Sequence, residues 1–533
     1  MRYNMIKKRI FSLATTALLS MTMIANFAAC GKKGYEHGDP SANSIVPADS
    51  VKLEIMQESN GSTVELFGAQ MDPHFLSGCV GRELEKADGT KVTIEESEWE
   101  NVTLPRIQEM GLSYVRMMAL PSWWAEEAST YKTGEYTWDS IEMQDMYLVL
   151  DAAQQNNIDV CFTVWLWDCN YVRYPGYEWE EGSKNWCLPD PEPQAEFDGK
   201  TGNEVMGEVI ADCLKYLMEE KGYTCIKYFT PVNEPNSTFG YPYAGGLAYG
   251  AYDECCRTLD EVFKEKGIRQ KLKFNLSDSS TGDGGMWLSA TIESLYADGV
   301  ADIVNTHWYS YDDSFTNAKL QDPEVVLSPA RYNKLAKDAN VQHAFGEYGA
   351  FINEYDKPSR AFALVKIAAN MWQTGACGMS YWRLQSDFWN WDRNNPDAKP
   401  YFLGLWESAD GDYNCRPSYY TYSLMTRFIK TGMKIYPMSV EDGDLVGVAF
   451  RNGKDWTYLV VNDSQTETKK ISFLNNTAFP NNMEKYVYEV ANAPTDNKVI
   501  PASGIMQADG RVLTDTIAPQ SCIVYTNLKL ENK

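Results

Sequence analysis

Residues 226–235 read Ile-Lys-Tyr-Phe-Thr-Pro-Val-Asn-Glu-Pro, an apolar run that ends in a polar triplet. β-Branched and aromatic residues dominate the run, which favours a short buried strand over a helix. Pro235 has no amide hydrogen and a fixed φ, so the strand must end at this point. The pattern therefore predicts a β-strand that carries Asn233 and Glu234 at its C-terminal end.

Apolar runs of this kind alternate with amphipathic stretches over residues 62–384. The alternation predicts parallel strands joined by crossover helices, and we expect helices at 99–110, 141–156, 202–221, 247–266 and 359–374. Eight strands are expected at 65–71, 113–120, 158–166, 226–233, 273–277, 303–309, 343–347 and 378–383. Eight β-α units close into a (β/α)8 TIM barrel, so the fold class is α/β.

The spacing of apolar residues changes after about residue 426. Helical spacing disappears, and short alternating runs at 446–451, 456–461, 470–473, 486–490 and 521–526 are separated by turn residues. We therefore expect the barrel at 51–425 and an all-β sandwich at 426–533, with residues 51–64 as a candidate extra strand of the sandwich.

The first 30 residues have the form of an export signal, with four basic residues, no acidic one and an apolar stretch that leads to Ala28, Ala29 and Cys30. This resembles a bacterial lipoprotein signal, in which Cys30 would be lipidated, although Phe27 departs from the aliphatic residue of that pattern. An ordinary signal peptide and an uncleaved anchor stay open. We expect an extracellular or cell-surface protein, lipid-anchored to a bacterial membrane through a flexible tether at 31–50.

The composition narrows the function classes. A net charge of −25 disfavours nucleic acid and anionic lipid as partners and mildly disfavours polyanionic glycans. Four dispersed histidines and the lack of a CxxC pair argue against a zinc site, so we expect no metal and no cofactor. Cysteines inside apolar runs are expected to act as small buried hydrophobes, and Cys169 and Cys187 stay open as a pair. A monomer is expected.

A second carboxylate completes a chemical pattern. Residues 343–349 read His-Ala-Phe-Gly-Glu-Tyr-Gly, which places Glu347 at the end of strand seven, while Glu234 ends strand four. The C-terminal ends of barrel strands share one face, so the two acids are expected to meet there. Retaining glycoside hydrolysis needs such a pair about 5–5.5 Å apart, one to protonate the leaving oxygen and one to attack the anomeric carbon.

The triplet Asn233-Glu234-Pro235 together with Phe345-Gly346-Glu347 resembles the large clan A of retaining (β/α)8 glycoside hydrolases, which includes families 5, 30 and 39. The resemblance covers residues 51–424. Residues 419–423 and 427–432 are similar to the barrel-to-sandwich junction of families 30 and 39, and residues 519–525 resemble the closing strand of that sandwich. The barrel strands look more like family 5 and the tail more like family 30, so the family stays open.

The resemblance implies that Glu234 is the general acid/base and Glu347 the nucleophile. It implies that Asn233 binds the sugar 2-hydroxyl, and that Arg116 keeps the nucleophile ionised, although an arginine that merely ties strands together is the alternative. The motif His307-Trp308-Tyr309 is similar to the clan's His-x-Tyr. Tyr309 is expected to donate to Glu347 and His307 to orient hydroxyls or the acid, with a core histidine as the alternative.

Aromatic residues are expected to stack on sugar rings, because pyranoses present apolar C–H faces. Trp382 at the end of strand eight resembles the sugar platform of the clan. Trp165 and Trp167 on strand three are similar candidates, and one of that pair is expected to point away from the cleft. The expected binding surface comprises Asn233, Arg116, His307, Tyr309, Trp382, Trp165 and Trp167, while Trp389, Trp391 and Trp406 are equally consistent with core packing.

The sequence therefore predicts an exported retaining β-glycoside hydrolase that acts on a neutral polysaccharide or oligosaccharide. An aromatic loop at about 167–202 is expected to shape the cleft, with endo and exo action both open. One alternative is a surface lipoprotein that binds glycan without catalysis, which both glutamates argue against. The other is a metal-dependent barrel hydrolase, which the scarcity of histidine argues against.

Overall fold

The computed structural model describes residues 46–168, 192–193, 195–237, 247–282, 284–310, 315–350, 357–480 and 482–530. The expected signal segment with Cys30, most of the tether, and the Cys169 and Cys187 pair lie outside these residues. So does most of the aromatic loop after strand three. Within the described residues, no helix is long and apolar enough to span a membrane.

Eight parallel strands close into a barrel, as predicted. Numbered one to eight in chain order, they are Phe67–Gln70, Tyr114–Ala119, Asp159–Val164, Ile226–Thr230, Lys273–Ser279, Ile303–Ser310, His343–Ala350 and Gly378–Tyr381. Strand one pairs with strand eight, which closes the ring. Each of the eight overlaps one of the segments expected from the sequence.

Helices connect the strands around the outside of the barrel. The described α-helices are Leu104–Met110, Thr130–Thr133, Ile141–Asn156, Gly202–Lys215, Tyr249–Glu265, Gly284–Thr291, Asn317–Gln321, Pro329–Asp338, Pro358–Thr374 and Pro417–Phe428. Local sequence sets several of their ends. Thr201 and Glu204 form a reciprocal capping box at the start of Gly202–Lys215, and Gly111 ends Leu104–Met110 in a left-handed conformation.

Alternation along the strands divides the barrel interior into layers. Tyr114 and Tyr228 pack edge to face at 5.9 Å in the floor of the barrel, within a cluster that also includes Cys161 and Cys377. Arg116 lies two residues after Tyr114, so its side chain points to the same interior side, one layer nearer the C-terminal end. The predicted burial of Cys161, Cys213, Cys225, Cys377 and Cys522 is confirmed.

A nine-stranded, mostly antiparallel sheet forms the second domain. In spatial order its strands are Gly504–Met506, Met483–Glu489, Ser521–Thr526, Asp455–Asn462, Leu445–Asn452, Lys434–Val440, Val51–Ile55, Lys469–Leu474 and Val512–Ile517. Tyr525 lies on the third strand of this order and Phe473 on the eighth, yet their ring centroids are 5.2 Å apart. The sheet therefore curls until its two ends face each other across a shared interior. The sandwich prediction is confirmed, and Val51–Ile55 fits between two of its strands. The strands Lys434–Val440, Gly504–Met506 and Val512–Ile517 were not expected from the sequence.

The outer face of this sheet packs on the last two barrel helices. Trp372 and Phe450 meet edge to face at 5.1 Å, and Lys366 pairs with Asp463 at 2.8 Å. The sandwich therefore covers apolar helix surface on the flank of the barrel.

Candidate active site

Glu234 lies in the turn that follows strand four. Its backbone is left-handed, with φ of 41°, which is uncommon for a residue with a side chain. The amide of Glu234 donates to the carbonyl of Asp278 on strand five at 3.1 Å, and the amide of Ser237 donates to the carbonyl of Glu234 at 2.9 Å. Contacts on both sides thus fix the strained turn that presents this carboxyl group.

Glu347 lies on strand seven at an irregularity in the sheet. The pairing of strand seven with strand six shifts register between Phe345 and Glu347, and bulges of this kind re-aim side chains. A side chain at Gly346 would place its Cβ 2.4 Å from Oδ1 of Asn305 and 2.7 Å from Oδ1 of Asp278. Only glycine fits, so the sequence Gly-Glu is what allows the bulge to pack against the site.

The two glutamates meet at the C-terminal end of the barrel, as the sequence predicted. One carboxyl oxygen of Glu234, one of Glu347 and one ring nitrogen of His307 all lie within 4.8 Å of one another. Nδ1 of His307 is 2.8 Å from Oε1 of Glu234 and 3.4 Å from Oε2 of Glu347. The nearest carboxyl oxygens of the two acids are therefore closer than the separation of about 6.5–9.5 Å that characterises carboxyl pairs in inverting enzymes.

Arg116 connects four side chains behind the glutamates. Its Nη1 donates to Oε1 of Glu347 at 2.6 Å and to Oε1 of Gln70 at 2.8 Å. Its Nη2 donates to Oδ1 of Asn233 and to Oδ2 of Asp278, both at 2.7 Å. The residue is fully buried. The sequence left open whether Arg116 pairs with Glu347 or only ties barrel strands together. The structure shows that the same hydrogen bonds do both.

Asp278 is a site residue that the sequence reasoning missed. It is fully buried, accepts from Arg116, and lies 3.2 Å from Nε2 of His307. The predicted fifth strand stopped at Ser277, whereas the strand continues to Ser279 through a register shift with left-handed φ at Ser277 and Asp278. The signal was present as the polar run Ser-Asp-Ser at the C-terminal end of an apolar strand.

Burial and charge act against each other on the ionisable groups. Burial raises the pKa of Glu347, and the charges of His307 and Arg116 oppose that rise. Burial disfavours the charged form of His307, but Glu347 and Asp278 outweigh it and raise the pKa of the imidazole to about 10. Burial likewise opposes the charge of Asp278, and Arg116 with His307 lowers its pKa. At neutral pH the site therefore holds two cations between buried carboxylates.

Two polar residues face the glutamates as expected. The hydroxyl of Tyr309 donates to Oε2 of Glu347 at 2.6 Å. The side-chain carbonyl of Asn233 is occupied by Arg116, and no acceptor among the described residues pairs with its amide hydrogens. Arg116 and His307 are fully buried, and their polar atoms contact other site residues. Their expected place on the binding surface stays a prediction.

The aromatic candidates divide into two groups. Trp382 packs edge to face against Tyr309 with centroids 6.4 Å apart, and the ring centroid of Trp165 lies 5.8 Å from the guanidinium carbon of Arg116. Trp167 is fully buried and donates its indole hydrogen to the carbonyl of Pro231 at 3.1 Å. Trp167 therefore packs in the core beyond the end of strand three at Val164, and its expected role as a binding residue stays a prediction.

The remaining tryptophans separate in the same way. Trp389 packs 5.9 Å from Trp165 at the cleft, whereas Trp406 is buried against Tyr419 in the core. The side chain of Trp391 lies outside the described residues.

A second buried charge cluster lies beside the first. Oδ1 of Asp72 accepts from Gln70 at 2.6 Å, so the same glutamine contacts Arg116 and Asp72. Arg383 follows Trp382, pairs with Asp387, and lies 3.5 Å from Asp72. These groups are buried and paired with one another, so they support the walls of the site and leave no described cation open to an anionic ligand there.

The cluster of Glu234, His307 and Glu347 is also compact enough to hold a metal ion. A metal requires a neutral imidazole and competes with nearby cations. Here the pKa of His307 is raised to about 10, and Arg116 already occupies Glu347. Both features oppose the binding of a metal ion at this cluster.

No protein-family model matches the sequence, and no significantly similar curated protein was found. Solved structures share the fold. The glycoside hydrolase family 30 xylanase C catalytic domain from Talaromyces cellulolyticus is 12% identical with a TM-score of 0.61, over 90% of this chain and 100% of that one. The family 30 subfamily 8 xylanase Xyn30A from Clostridium acetobutylicum is 11% identical, with a TM-score of 0.59 over 90% and 99% of the chains. The family 44 xyloglucanase from Paenibacillus polymyxa is 11% identical, with a TM-score of 0.55 over 90% and 100%. At these identities the likeness establishes the fold, a barrel with a β domain.

Proposed function

We propose that this chain is an exported, retaining β-glycoside hydrolase that cleaves a neutral polysaccharide or oligosaccharide by double displacement. The observation that carries the proposal is the approach of Glu234 and Glu347, with carboxyl oxygens within 4.8 Å, at the C-terminal end of the barrel. The structural neighbours, which include xylanases and a xyloglucanase, support a carbohydrate substrate.

In the first step the carboxylate of Glu347 attacks the anomeric carbon, and Glu234 gives its proton to the departing oxygen. The tyrosine and arginine donors at 2.6 Å hold the two oxygens of Glu347 and orient it for attack. Bonds to Arg116 stabilise the anion and oppose the rise in the pKa of Glu347 that burial causes. A glycosyl ester on Glu347 is the product of the step.

In the second step Glu234 takes a proton from water, and the resulting hydroxide displaces Glu347 from the anomeric carbon. Glu234 therefore has to change between acid and carboxylate. The hydroxyl of Ser237 lies 2.9 Å from its Oε2, and a hydroxyl donates to a carboxylate and accepts from a carboxylic acid. This contact is compatible with both states of Glu234.

The proposed preference for a neutral glycan follows from the charges of the site and of the whole chain. The described cations at the site are buried and already paired with carboxylates, and the whole chain carries a net charge of −25. A polyanionic glycan would meet repulsion without a compensating basic group.

The test is a hydrolysis screen over neutral β-glycans, with the anomer of the first product read by proton NMR. Retention is expected, and Glu347→Gln is expected to abolish turnover while its melting temperature stays near that of the wild type. Glu324→Gln, at an exposed position, is the matched control. First products of inverted configuration would contradict the retaining mechanism. Wild-type rates in Glu347→Gln would contradict the role of Glu347 as nucleophile. Glycan binding without release of reducing ends would favour the non-catalytic alternative, and loss of activity in chelator would favour a metal-dependent enzyme.

Export and lipid anchoring are part of the proposal and rest on the pattern that ends at Cys30. Expression of the full chain in a bacterium is expected to place it in the detergent-soluble membrane fraction. Cys30→Ala is expected to release it to the soluble fraction. A Cys30→Ala protein that fractionates like the wild type would contradict lipidation at this residue.

A further inference from the structure

One aromatic side chain differs from all the others that the structure describes. Phe402 has 46% of its surface exposed, whereas every other described tryptophan, tyrosine and phenylalanine side chain is buried or half-buried. Exposure of an aromatic ring gives up part of the free energy that burial would provide and leaves apolar surface in contact with water.

The position of Phe402 links it to the catalytic pair. Its ring is stacked on Tyr401, with centroids 5.9 Å apart and planes inclined by 8°. Tyr401 packs edge to face against Trp382 at 5.2 Å, and Trp382 packs against Tyr309, which donates to Glu347. The rings therefore form a continuous series that begins at the nucleophile and ends at an exposed face.

The backbone around Phe402 is fixed on both sides. The amide of Tyr401 donates to the carbonyl of Asp387 at 2.7 Å, and the hydroxyl of Tyr381 donates to the carbonyl of Leu403 at 2.6 Å. Gly404 follows, where an added Cβ would lie 2.1 Å from the amide nitrogen of Ser386. Such a close approach allows only glycine. The exposed ring is thus presented by a rigid loop, which lowers the entropic cost of binding to it.

We propose that Phe402 is the platform of an outer sugar subsite, which binds a pyranose unit of an extended neutral glycan that is remote from the scissile bond. This inference rests on the proposed glycosidase function and deepens it to substrates longer than one or two sugars. The flat apolar ring complements the C–H face of a pyranose, and binding energy from a remote unit helps to orient the reacting bond.

The test compares substrate lengths. Steady-state kcat/KM is measured for xylo- and cello-oligosaccharides from the disaccharide to the hexasaccharide. In Phe402→Ala the ratio of hexasaccharide to disaccharide kcat/KM is expected to fall about three- to tenfold, the range for an aromatic contact. Phe402→Trp is expected to keep the ratio, whereas Phe402→Leu, apolar but not flat, is expected to lose most of it. Ile505→Ala, at an exposed apolar position on the β domain, is the matched control and leaves the ratio unchanged.

Calorimetric titration of the hexasaccharide measures the same contact without turnover. The affinity of Glu347→Gln is compared with that of Glu347→Gln/Phe402→Ala, and a loss of about three- to tenfold is again expected. Equal affinities, together with an unchanged length ratio, would overturn the subsite while leaving the glycosidase intact. A wild type that neither cleaves nor binds any glycan in the screen of neutral β-glycans would overturn the proposed function itself and, with it, this inference.

Discussion

Replacing Arg116 with methionine removes a buried cation from the carboxylates of Glu347 and Asp278 while keeping a side chain of similar length. The guanidinium lies 2.6 Å from one carboxylate and 2.7 Å from the other. An arginine in such contact lowers the pKa of a carboxyl group by about 1–3 units. Its loss should raise the pKa of Glu347 by that amount, on top of the rise that burial already causes.

The expected kinetic effect follows from the sign of that shift. The proposed nucleophile reacts as a carboxylate, so the acid limb of kcat/KM against pH reports its ionisation in the free enzyme. A raised pKa moves this limb upward by about 1–3 pH units, and activity on the limb falls about 10- to 1,000-fold. Activity should then recover as pH rises, because Glu347 is still present and ionises at the higher value.

Stability provides a second, independent measurement. Removing one partner of a buried ion pair costs about 3–5 kcal/mol when the other charge stays uncompensated. In Arg116→Met the folded-state pKa values of Glu347 and Asp278 would rise, so the destabilisation should be small at acid pH and grow as pH rises through those values. Urea unfolding at acid and at neutral pH measures this difference.

Arg331→Met is the control, since Arg331 is an exposed arginine on an outer helix. It should leave both the pH profile and the unfolding free energy near wild-type values. An Arg116→Met enzyme with the wild-type acid limb would show that Arg116 does not set the ionisation of Glu347. Activity that stays lost at every pH would show that the arginine acts through geometry alone.

Three further predictions follow from the same structure. Glu234→Ala should slow cleavage of natural glycans far more than that of aryl glycosides with acidic leaving groups, which need no proton; equal slowing in steady-state assays would contradict its acid role. Gly346→Ala should cost about 1–3 kcal/mol and lower kcat, because the added Cβ would meet Asn305 and Asp278 at 2.4 and 2.7 Å; urea unfolding and steady-state kinetics measure both effects. His343 is buried with its pKa lowered to about 3, so it stays neutral in the fold and its stabilising contribution is lost as pH falls below the unfolded value of about 6.5, by up to about 1.4 kcal/mol per pH unit. Urea unfolding of His343→Gln at pH values of about 7 and about 5 should show a correspondingly weaker pH dependence than the wild type.

Much of the barrel was predictable because local pattern and tertiary structure agree. The eight strands are short apolar runs, and helices such as Ile141–Asn156 end where the sequence offers a left-handed residue. The β domain was harder to predict. Lys434–Val440 contains Pro437, and Gly504–Met506 is a three-residue edge strand with an exposed isoleucine. Neither has the alternation that identifies a half-buried strand, because their places are set by neighbouring strands.

The site was predictable where a residue type is rare in its setting. An arginine inside an apolar strand and two glutamates at strand ends are conspicuous, whereas Asp278 is one of many aspartates. Its position depends on a register shift and on two left-handed residues, and neither can be read from side-chain pattern. Trp165 and Trp167 show the complementary limit. Residues two apart on a strand point to the same side, but strand three ends at Val164, so the different environments of the two rings depend on the path of the chain beyond the strand.

Asp278 has a consequence for the proposed reaction that the glutamates alone do not have. When Glu347 becomes an ester it loses its negative charge, and Arg116 and His307 lose one of their shared partners. Asp278 contacts both cations, at 2.7 Å and 3.2 Å, and takes no part in bond formation. In the proposed covalent intermediate it therefore compensates Arg116, while His307 contacts both Asp278 and Glu234. The same cations are then in place to receive the carboxylate of Glu347 as water displaces it, so the charges that keep Glu347 ionised before attack also favour its departure in the second step.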